Sequence, residues 1–263
     1  MTVRYNNFPK AKRSLGQNFL VDTEVVERIV GALDLSHGEH VFEIGPGRGA
    51  LTEKLLETGA VVTAVEFDRD IAALLRERFG SVANFTLIES DVLALDLATV
   101  IKGGNTKVVG NLPYNISTEI LKHLSAARMN FSLLVLMFQR EVAERIAAEP
   151  GDSERGFLSV MAENAFTIER IFDIAPTAFR PTPKVWSSVV RFLPKSSILP
   201  DDKALERLVS KGFSQRRKTI LNNLAANYPS ARLTLESVSI DPSRRAQTLS
   251  LAEWHCLAVQ FSQ

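Results

Sequence analysis

Cysteine is almost absent from this sequence: Cys256 stands alone among 263 residues. A single thiol excludes an internal disulfide and argues against a cysteine-built metal cluster. With Trp254 and Leu257 beside it, the thiol is expected to be buried. The four histidines, His37, His40, His123 and His255, are not grouped at metal-ligand spacing, so no metal site is expected. There is no long uncharged apolar run and no secretory leader, which points to a cytoplasmic protein without a membrane partner. Internal repeats and low-complexity tracts are missing too. Nor is charge of either sign in excess. The net charge is +1, with 23% charged and 45% hydrophobic residues, as in an ordinary soluble globular protein. The expected state is a monomer.

The balanced total hides an asymmetry. Residues 196–263 hold nine Lys or Arg against six Asp or Glu, whereas residues 1–195 hold 22 against 24. A basic tail suits a polyanion, and scattered surface charge accounts for it nearly as well. The length suits one large α/β domain with a small appendix, or two domains.

The chain is organised around residues 109–117, VGNLPYNIS. Thr106 to Val109 is short, β-branched and apolar, as a buried strand should be. Ser117 is placed to N-cap a helix with Glu119 in its first turn and Ile120, Leu121 and Leu124 on one face. Asn111, Pro113 and Tyr114 therefore fall in the loop at the carboxyl end of a strand, where open α/β sheets bind ligands. The Asn111 amide oxygen and the Pro113 carbonyl are two acceptors that can grip an exocyclic amine. The Tyr114 ring is a flat face for a planar base. An ordinary strand-to-helix turn uses the same residue types.

Upstream, Arg4, Lys10, Lys12 and Arg13 precede the first acid, Asp22, as a basic arm that is either solvated or phosphate-facing. The segment SLGQNFL at 14–20 is turn-like. Asp22 caps a helix with Val25, Val26, Ile29, Val30 and Leu33 at helical spacing. His40 to Ile44 is a strand running into the turn GPGRG at 45–49, and the next helix carries Leu51, Leu55 and Leu56. Gly45 and Gly47 let a ligand approach the backbone. Glu66 ends the following strand, about 20 residues past the loop, where a carboxylate can accept both hydroxyls of a ribose.

Such a loop suits nicotinamide or flavin nucleotides about as well as other adenosyl ligands. Two acids favour a compact adenosyl ligand without a pyrophosphate. Glu43, directly before the glycines, would repel phosphate and attract a cationic amino-acid moiety. Asp91, after the strand Phe85 to Glu89, can accept from an adenine amine, and it can equally cap a short helix over Leu93 to Ile101. Together these features point to S-adenosylmethionine, whose sulfonium is positive.

Further on, Phe131 to Phe138 reads as a fully buried strand. Gln139 to Ala148 reads as a helix ended by Pro150 and Gly151, Gly156 to Phe166 as another helix, and Ile168 to Ile174 as a strand. Residues 176–185 form a proline-stiffened loop in which Phe179 has no periodic apolar partners. It is either a packing plug or a second stacking face for a flipped base. Trp186 to Leu193 completes a last strand. The alternation over residues 40–193 predicts an α/β fold with a doubly wound, mostly parallel, Rossmann-like sheet. Pro194 to Asp202 reads as a linker, so domains are expected at 1–195 and 196–263. The second is all-helical, with helices over Ala204 to Phe213, Arg217 to Ala226 and Leu251 to Phe261. Its basic cluster, Lys211, Arg216, Arg217 and Lys218, with Arg244 and Arg245 apart, is either a solvated face or a phosphate-contacting module.

These blocks strongly resemble the ribosomal RNA adenine dimethyltransferases, and within them the bacterial branch that acts on small-subunit (16S) RNA. The resemblance covers most of the chain. It includes GQNFL at 16–20, EIGPGRGALT at 43–52, the acids Glu66 and Asp91, GNLPYNIS at 110–117, FRPTPKVWSSVVR at 179–191 and FSQRRKTILNNL at 213–224. The last two are the specific ones, because all Rossmann-like methyltransferases share a glycine loop. The resemblance implies S-adenosylmethionine-dependent dimethylation of two adjacent adenines near the 3′ end of 16S RNA, with that RNA or an assembling 30S particle as partner. It implies that Asn18 and Leu20 line the cofactor pocket, that Gly45 meets the methionine end, Glu66 the ribose and Asp91 the adenine, and that Asn111 serves both cofactor and target amine. Gly49 departs from the small or apolar residue usual there and is not expected to alter the chemistry. Two relatives of the same fold remain as alternatives: the antibiotic-resistance dimethyltransferases of 23S RNA, and a non-catalytic assembly factor. A nicotinamide-dependent oxidoreductase is disfavoured by Glu43 and by the lack of a proton-transfer residue near the loop.

Overall fold

Apolar runs of four to eight residues bounded by turns become strands covered on both faces, the usual state of a parallel sheet. Val41, Phe42 and Ile44, Val62 and Ala64, Val108 and Val109, and Leu133 to Phe138 are all buried in this way. The computed structural model describes residues 9–101, 104–196 and 202–261. In chain order its elements begin with β1 (Phe19–Leu20), α1 (Thr23–Gly31), β2 (His40–Ile44), α2 (Ala50–Glu57), β3 (Val61–Glu66), α3 (Arg69–Phe79) and β4 (Phe85–Glu89). Then come α4 (Leu97–Val100), β5 (Thr106–Asn111), α5 (Ser117–Ala126), β6 (Phe131–Gln139), α6 (Arg140–Ile146), α7 (Phe157–Ala165), β7 (Phe166–Ile174), β8 (Phe179–Arg180) and β9 (Ser187–Pro194). The last four helices are α8 (Asp202–Gly212), α9 (Ile220–Leu224), α10 (Ala231–Ser237) and α11 (Leu251–Phe261).

Seven strands form one sheet in the order β4-β3-β2-β5-β6-β9-β7. Pairings from β4 through β6 are parallel, and β9 runs antiparallel to β6. The chain steps outward from β2 to β4, then returns to lay β5 on the other side of β2. That reversal opens a crevice between the loops that follow β2 and β5, which is where doubly wound sheets take their ligands. The expected Rossmann-like α/β sheet is therefore present. A separate two-stranded pairing joins β1 to β8, with Leu20 opposite Phe179.

The chain forms two compact units, residues 1–143 with 168–194, and residues 144–167 with 195–263. The expected boundary at 195 is thus corrected, since 144–167 leaves the sheet domain. Sequence periodicity shows that α7 has an apolar face but not what it packs against. Val160 on that face is fully buried in a cluster with Leu205, Leu208, Ile220 and Trp254, with Phe157 and Met161 against it.

Four local expectations are also revised. Ser117 does not cap α5; Ile116 occupies the cap position without a side-chain bond, and Ser117 is itself buried. The expected helix from Arg217 shortens to α9, which Thr219 caps by accepting from Asn222 N. Helix α10 has no counterpart among the expected helices, because only Ala231 and Leu235 of its seven residues are buried. Cys256 is exposed on α11, since Trp254, Leu257 and Ala258 take the inward face. Arg4 of the basic arm, and residues 197–201 of the expected linker, lie outside the described residues.

Candidate functional site: an adenosyl pocket beside the Asn-Leu-Pro-Tyr loop

Three loop ends converge at the crevice. After β2 the chain turns through Gly45, Gly47 and Gly49, all in the left-handed region with φ of 62, 54 and 83°, a conformation open mainly to glycine. Gly49 is required for a second reason: a Cβ there would lie 2.7 Å from the Phe79 ring. This explains the glycine at 49 as a packing residue. After β3, Glu66 points back at the same turn. It is only 7% exposed and accepts from Gly47 N at 3.3 Å and Asp68 N at 2.9 Å. Burial raises its pKa, and these backbone donors oppose that shift. After β4, Asp91 accepts from Leu93 N at 2.9 Å, capping a single turn over Val92–Ala94. The capping reading of Asp91 holds, and the residue also lines the pocket.

A strap of chain covers this pocket. Residues Leu15 to Leu20 all line it, and a polar clamp holds them down. Lys12 Nζ lies 2.6 Å from Asp68 Oδ1 and Gln17 Nε2 donates to Asp68 Oδ2 at 2.8 Å. Gln17 Oε1 in turn accepts from Lys12 N at 2.8 Å. Burial would push the Asp68 carboxyl up, but the bonds from Lys12 and Gln17 outweigh it and hold the pKa low. Lys12 is therefore committed to Asp68 and Asp70 and is not part of a free basic arm. Arg48 reinforces the strap, donating to Pro9 O at 2.9 Å and lying 4.4 Å over the Phe19 ring.

The loop after β5 supplies the remaining wall. Asn111 Nδ2 donates to Asn18 O at 2.9 Å, which turns the amide so that Oδ1 is the atom facing away from the strap. Pro113 O accepts from Ile116 N at 3.2 Å, leaving its second lone pair. Tyr114 Oη lies 2.6 Å from Ser187 Oγ, which fixes the ring. Its burial raises the phenol pKa, with the Ser187 bond acting in the opposite sense, so the hydroxyl keeps its proton at neutral pH and is no base.

A family model for ribosomal RNA adenine dimethylase matches residues 8–263. The chain belongs to the ribosomal RNA adenine dimethylase family. It is 41% identical over 258 residues to the ribosomal RNA small subunit methyltransferase A of Pseudomonas putida, spanning 96% of each chain. A dimethyladenosine transferase from Plasmodium falciparum superposes with a TM-score of 0.80 at 26% identity, over 93% of this chain and 97% of that one. The 23S rRNA methyltransferase ErmE does so with a TM-score of 0.72 at 26% identity, over 94% and 100%.

The adenine dimethylase pocket gathers most of the residues expected from sequence. Asn18, Leu20, Gly45, Gly47, Glu66, Asp91, Asn111, Pro113 and Tyr114 all line it. Two expected residues do not. Glu43 is fully buried and accepts from Thr52 Oγ1 at 2.7 Å, so it serves the interior and does not face a ligand. Its burial raises the pKa to about 8, a shift only partly offset by the Thr52 bond, and it is not the carboxylate expected to attract a cation. Phe179 is 0% exposed, packed in the core with Phe19 and Leu20. The packing-plug reading holds, because a loop aromatic without partners in its own segment finds them through the β1–β8 pairing. Sequence reading misses the clamp that Asp68 and Gln17 form, although Gln17 lies in the GQNFL block. The only signal for Asp68 is its place two residues after Glu66, and nothing in the sequence joins it to Gln17, 51 residues away.

The donors present fit an adenosyl ligand. Glu66 and Asp91 offer acceptors for hydroxyls and an amine, and Leu20, Ile44, Phe67 and Val92 are apolar walls. Arg48 is the one cation among the described lining residues, and it is turned onto Phe19 and Pro9. Among the described residues no group of three His, Cys, Asp or Glu is placed to hold a metal ion. No helix among them is long and apolar enough to cross a membrane.

Proposed function

We propose that this chain methylates the exocyclic amine of two adjacent adenines near the 3′ end of small-subunit (16S) ribosomal RNA, twice each. The observation that carries the reading is the pairing of Asn111 Oδ1 and the Pro113 carbonyl, at the end of β5, with an adenosyl pocket one strand away. Bound S-adenosylmethionine supplies an electrophilic methyl on a sulfonium. Glu66 would hold its ribose, Asp91 its adenine, and Gly45 with the strap its amino-acid end.

The chain's own residues address the weak nucleophile. An adenine amine donates its lone pair into the ring and reacts poorly. Two acceptors on its N–H bonds, Asn111 Oδ1 and Pro113 O, draw the nitrogen toward tetrahedral geometry and free the lone pair for attack. The new N–C bond forms as the S–C bond breaks, and sulfur keeps the bonding pair. The proton leaves nitrogen afterwards, when the amine has become acidic, so no strong base is needed. Tyr114 holds the base by stacking. For the second transfer one N–H remains, so one acceptor must yield to a methyl group.

The relatives at about 41% identity are small-subunit enzymes, which supports the 16S substrate over 23S RNA. Retention of Asn111, Pro113 and Tyr114 at the pocket supports catalysis over a purely structural role. Arg216, Arg217 and Lys218, all exposed before α9, are the proposed phosphate-binding residues, with an assembling 30S particle in the cytoplasm as partner and a monomer as the acting form. The test is transfer of tritium from labelled S-adenosylmethionine to small-subunit particles lacking the modification. Label in dimethyladenosine of 16S RNA is expected. Label in 23S RNA alone would select the other substrate, and no label at all would reject the reaction.

A further inference from the structure

One large apolar side chain lies on the surface next to the catalytic loop. Trp186 is 48% exposed. It directly precedes β9, whose Ser187 pairs with Gln139 at the carboxyl end of β6. Its carbonyl accepts from Arg140 N at 2.9 Å. Because β9 is antiparallel, it begins at the sheet edge where β5 and β6 end, with Asn111 opposite Met137. Ser187 is also the residue whose Oγ holds Tyr114 Oη at 2.6 Å. Trp186 is thus one residue from the anchor of the stacking ring.

The loop that carries Trp186 has charge of one sign, although Asp173 and Glu141 lie on neighbouring elements. From Ile174 to Ser187 the sequence has no acid and two cations, Arg180 and Lys184, and both are exposed, as is Val185. An exposed indole among cations, beside a pocket that takes an extruded base, matches the stacking platforms of single-stranded nucleic acid sites. Extrusion also strips the neighbouring base of its stacking partner. A flat ring just outside the pocket can replace that partner.

We propose that Trp186 stacks on the nucleotide next to the target adenine in the RNA substrate. This rests on the RNA-adenine reading of the site and adds an interaction that sets how the strand enters it.

Intrinsic fluorescence reads this stacking directly. The second tryptophan of the chain, Trp254, is fully buried, so quenching by added RNA reports Trp186. The probe is an RNA hairpin with an adenine-rich loop. Titration should quench the emission, and the Trp186→Phe variant, in which Trp254 alone emits, should show no quench. By anisotropy of labelled hairpin, Trp186→Ala and Trp186→Leu should bind at least about 5-fold more weakly, with Trp186→Phe recovering most of the loss. Cofactor affinity should be unchanged in all three, which shows an intact fold. Absence of quenching would overturn the proposal. So would wild-type affinity in the Ala or Leu variant, or a quench seen only when ribosomal proteins accompany the RNA. Methyl transfer is measured separately. If the wild-type protein shows the quench and methylates nothing, the proposed reaction fails and the stacking role stands.

Discussion

Two buried carboxylates of the sheet domain illustrate how surroundings set an acid's charge. Asp68 has two strong donors and stays ionised, whereas Glu43 has one hydroxyl and keeps its proton to about pH 8. The pKa of Glu43 lies above its ordinary 4.5, so the folded state holds this proton more tightly than the unfolded state does. Its contribution is complete below pH 4.5 and is lost as pH rises through about 8. Glu43→Gln keeps an acceptor for Thr52 and abolishes the titration. Relative to the wild type, the variant should gain stability between pH 5 and pH 9, on the order of a few kcal/mol at the upper end. Urea unfolding at both pH values checks this, and parallel changes in the two proteins would reject it. Asn111 is the residue on which the proposed methyl transfer rests. Asn111→Ala should slow both methyl transfers at saturating cofactor by on the order of 10²-fold, as for loss of one positioned polar group, while cofactor affinity falls less. Single-turnover reactions with mass analysis of the adenines separate the two effects. Near-normal rates would leave Asn111 a binding residue only.

At the scale of elements, the strap over the pocket depends on a turn far away in sequence. Asp68 caps α3 by accepting from Asp70 N at 3.0 Å and also receives Lys12 and Gln17. Asp68→Asn keeps a competent cap but removes the charge that Lys12 pairs with. The strap should then open more often. Trypsin should cleave after Lys10 or Lys12 several-fold faster, bound cofactor should suppress the cleavage, and cofactor affinity should fall by about 3- to 10-fold, a charge-assisted bond reduced by the exposure of Lys12. Unchanged proteolysis and affinity would show that the apolar packing of Phe19 and Leu20 suffices. Helices are legible in the sequence where caps and periodicity agree, as in α1 with Asp22 accepting from Val25 N. They are poorly legible where the helix is short, as in α10.

For the molecule as a whole, charge is segregated along the chain, between residues 1–195 and 196–263, and not between the two compact units. The basic excess falls in residues 196–263, and Arg216, Arg217 and Lys218 lie exposed in the turn before α9. The Arg216 guanidinium also donates to Ser153 O, so its side chain is held within the helical unit. Replacing all three by Ala should weaken binding to small-subunit particles and leave cofactor affinity intact. The log–log dependence of binding on salt should flatten by about 0.7–0.9 for each phosphate no longer neutralised. Weaker binding with an unchanged slope would make these residues supports of the fold.

The sequence by itself determined the sheet, the crevice and most of the pocket. Strand and helix periods, glycines at positive φ and acids at strand ends are local patterns, and each carries its own physical requirement over a few residues. Glu66, Asp91, Asn111 and Tyr114 could be located in that way, whereas Asn18 was placed only by the family resemblance. Tertiary structure alone decided the rest, because partners distant in sequence leave no local trace. It buried Phe179 by pairing it across β1 and β8, and it closed Glu43 into the interior against Thr52. It assigned α7 to the helical unit through Val160. It also joined Lys12 and Gln17 to Asp68, more than 50 residues away, and so placed the Asn18 carbonyl that orients Asn111.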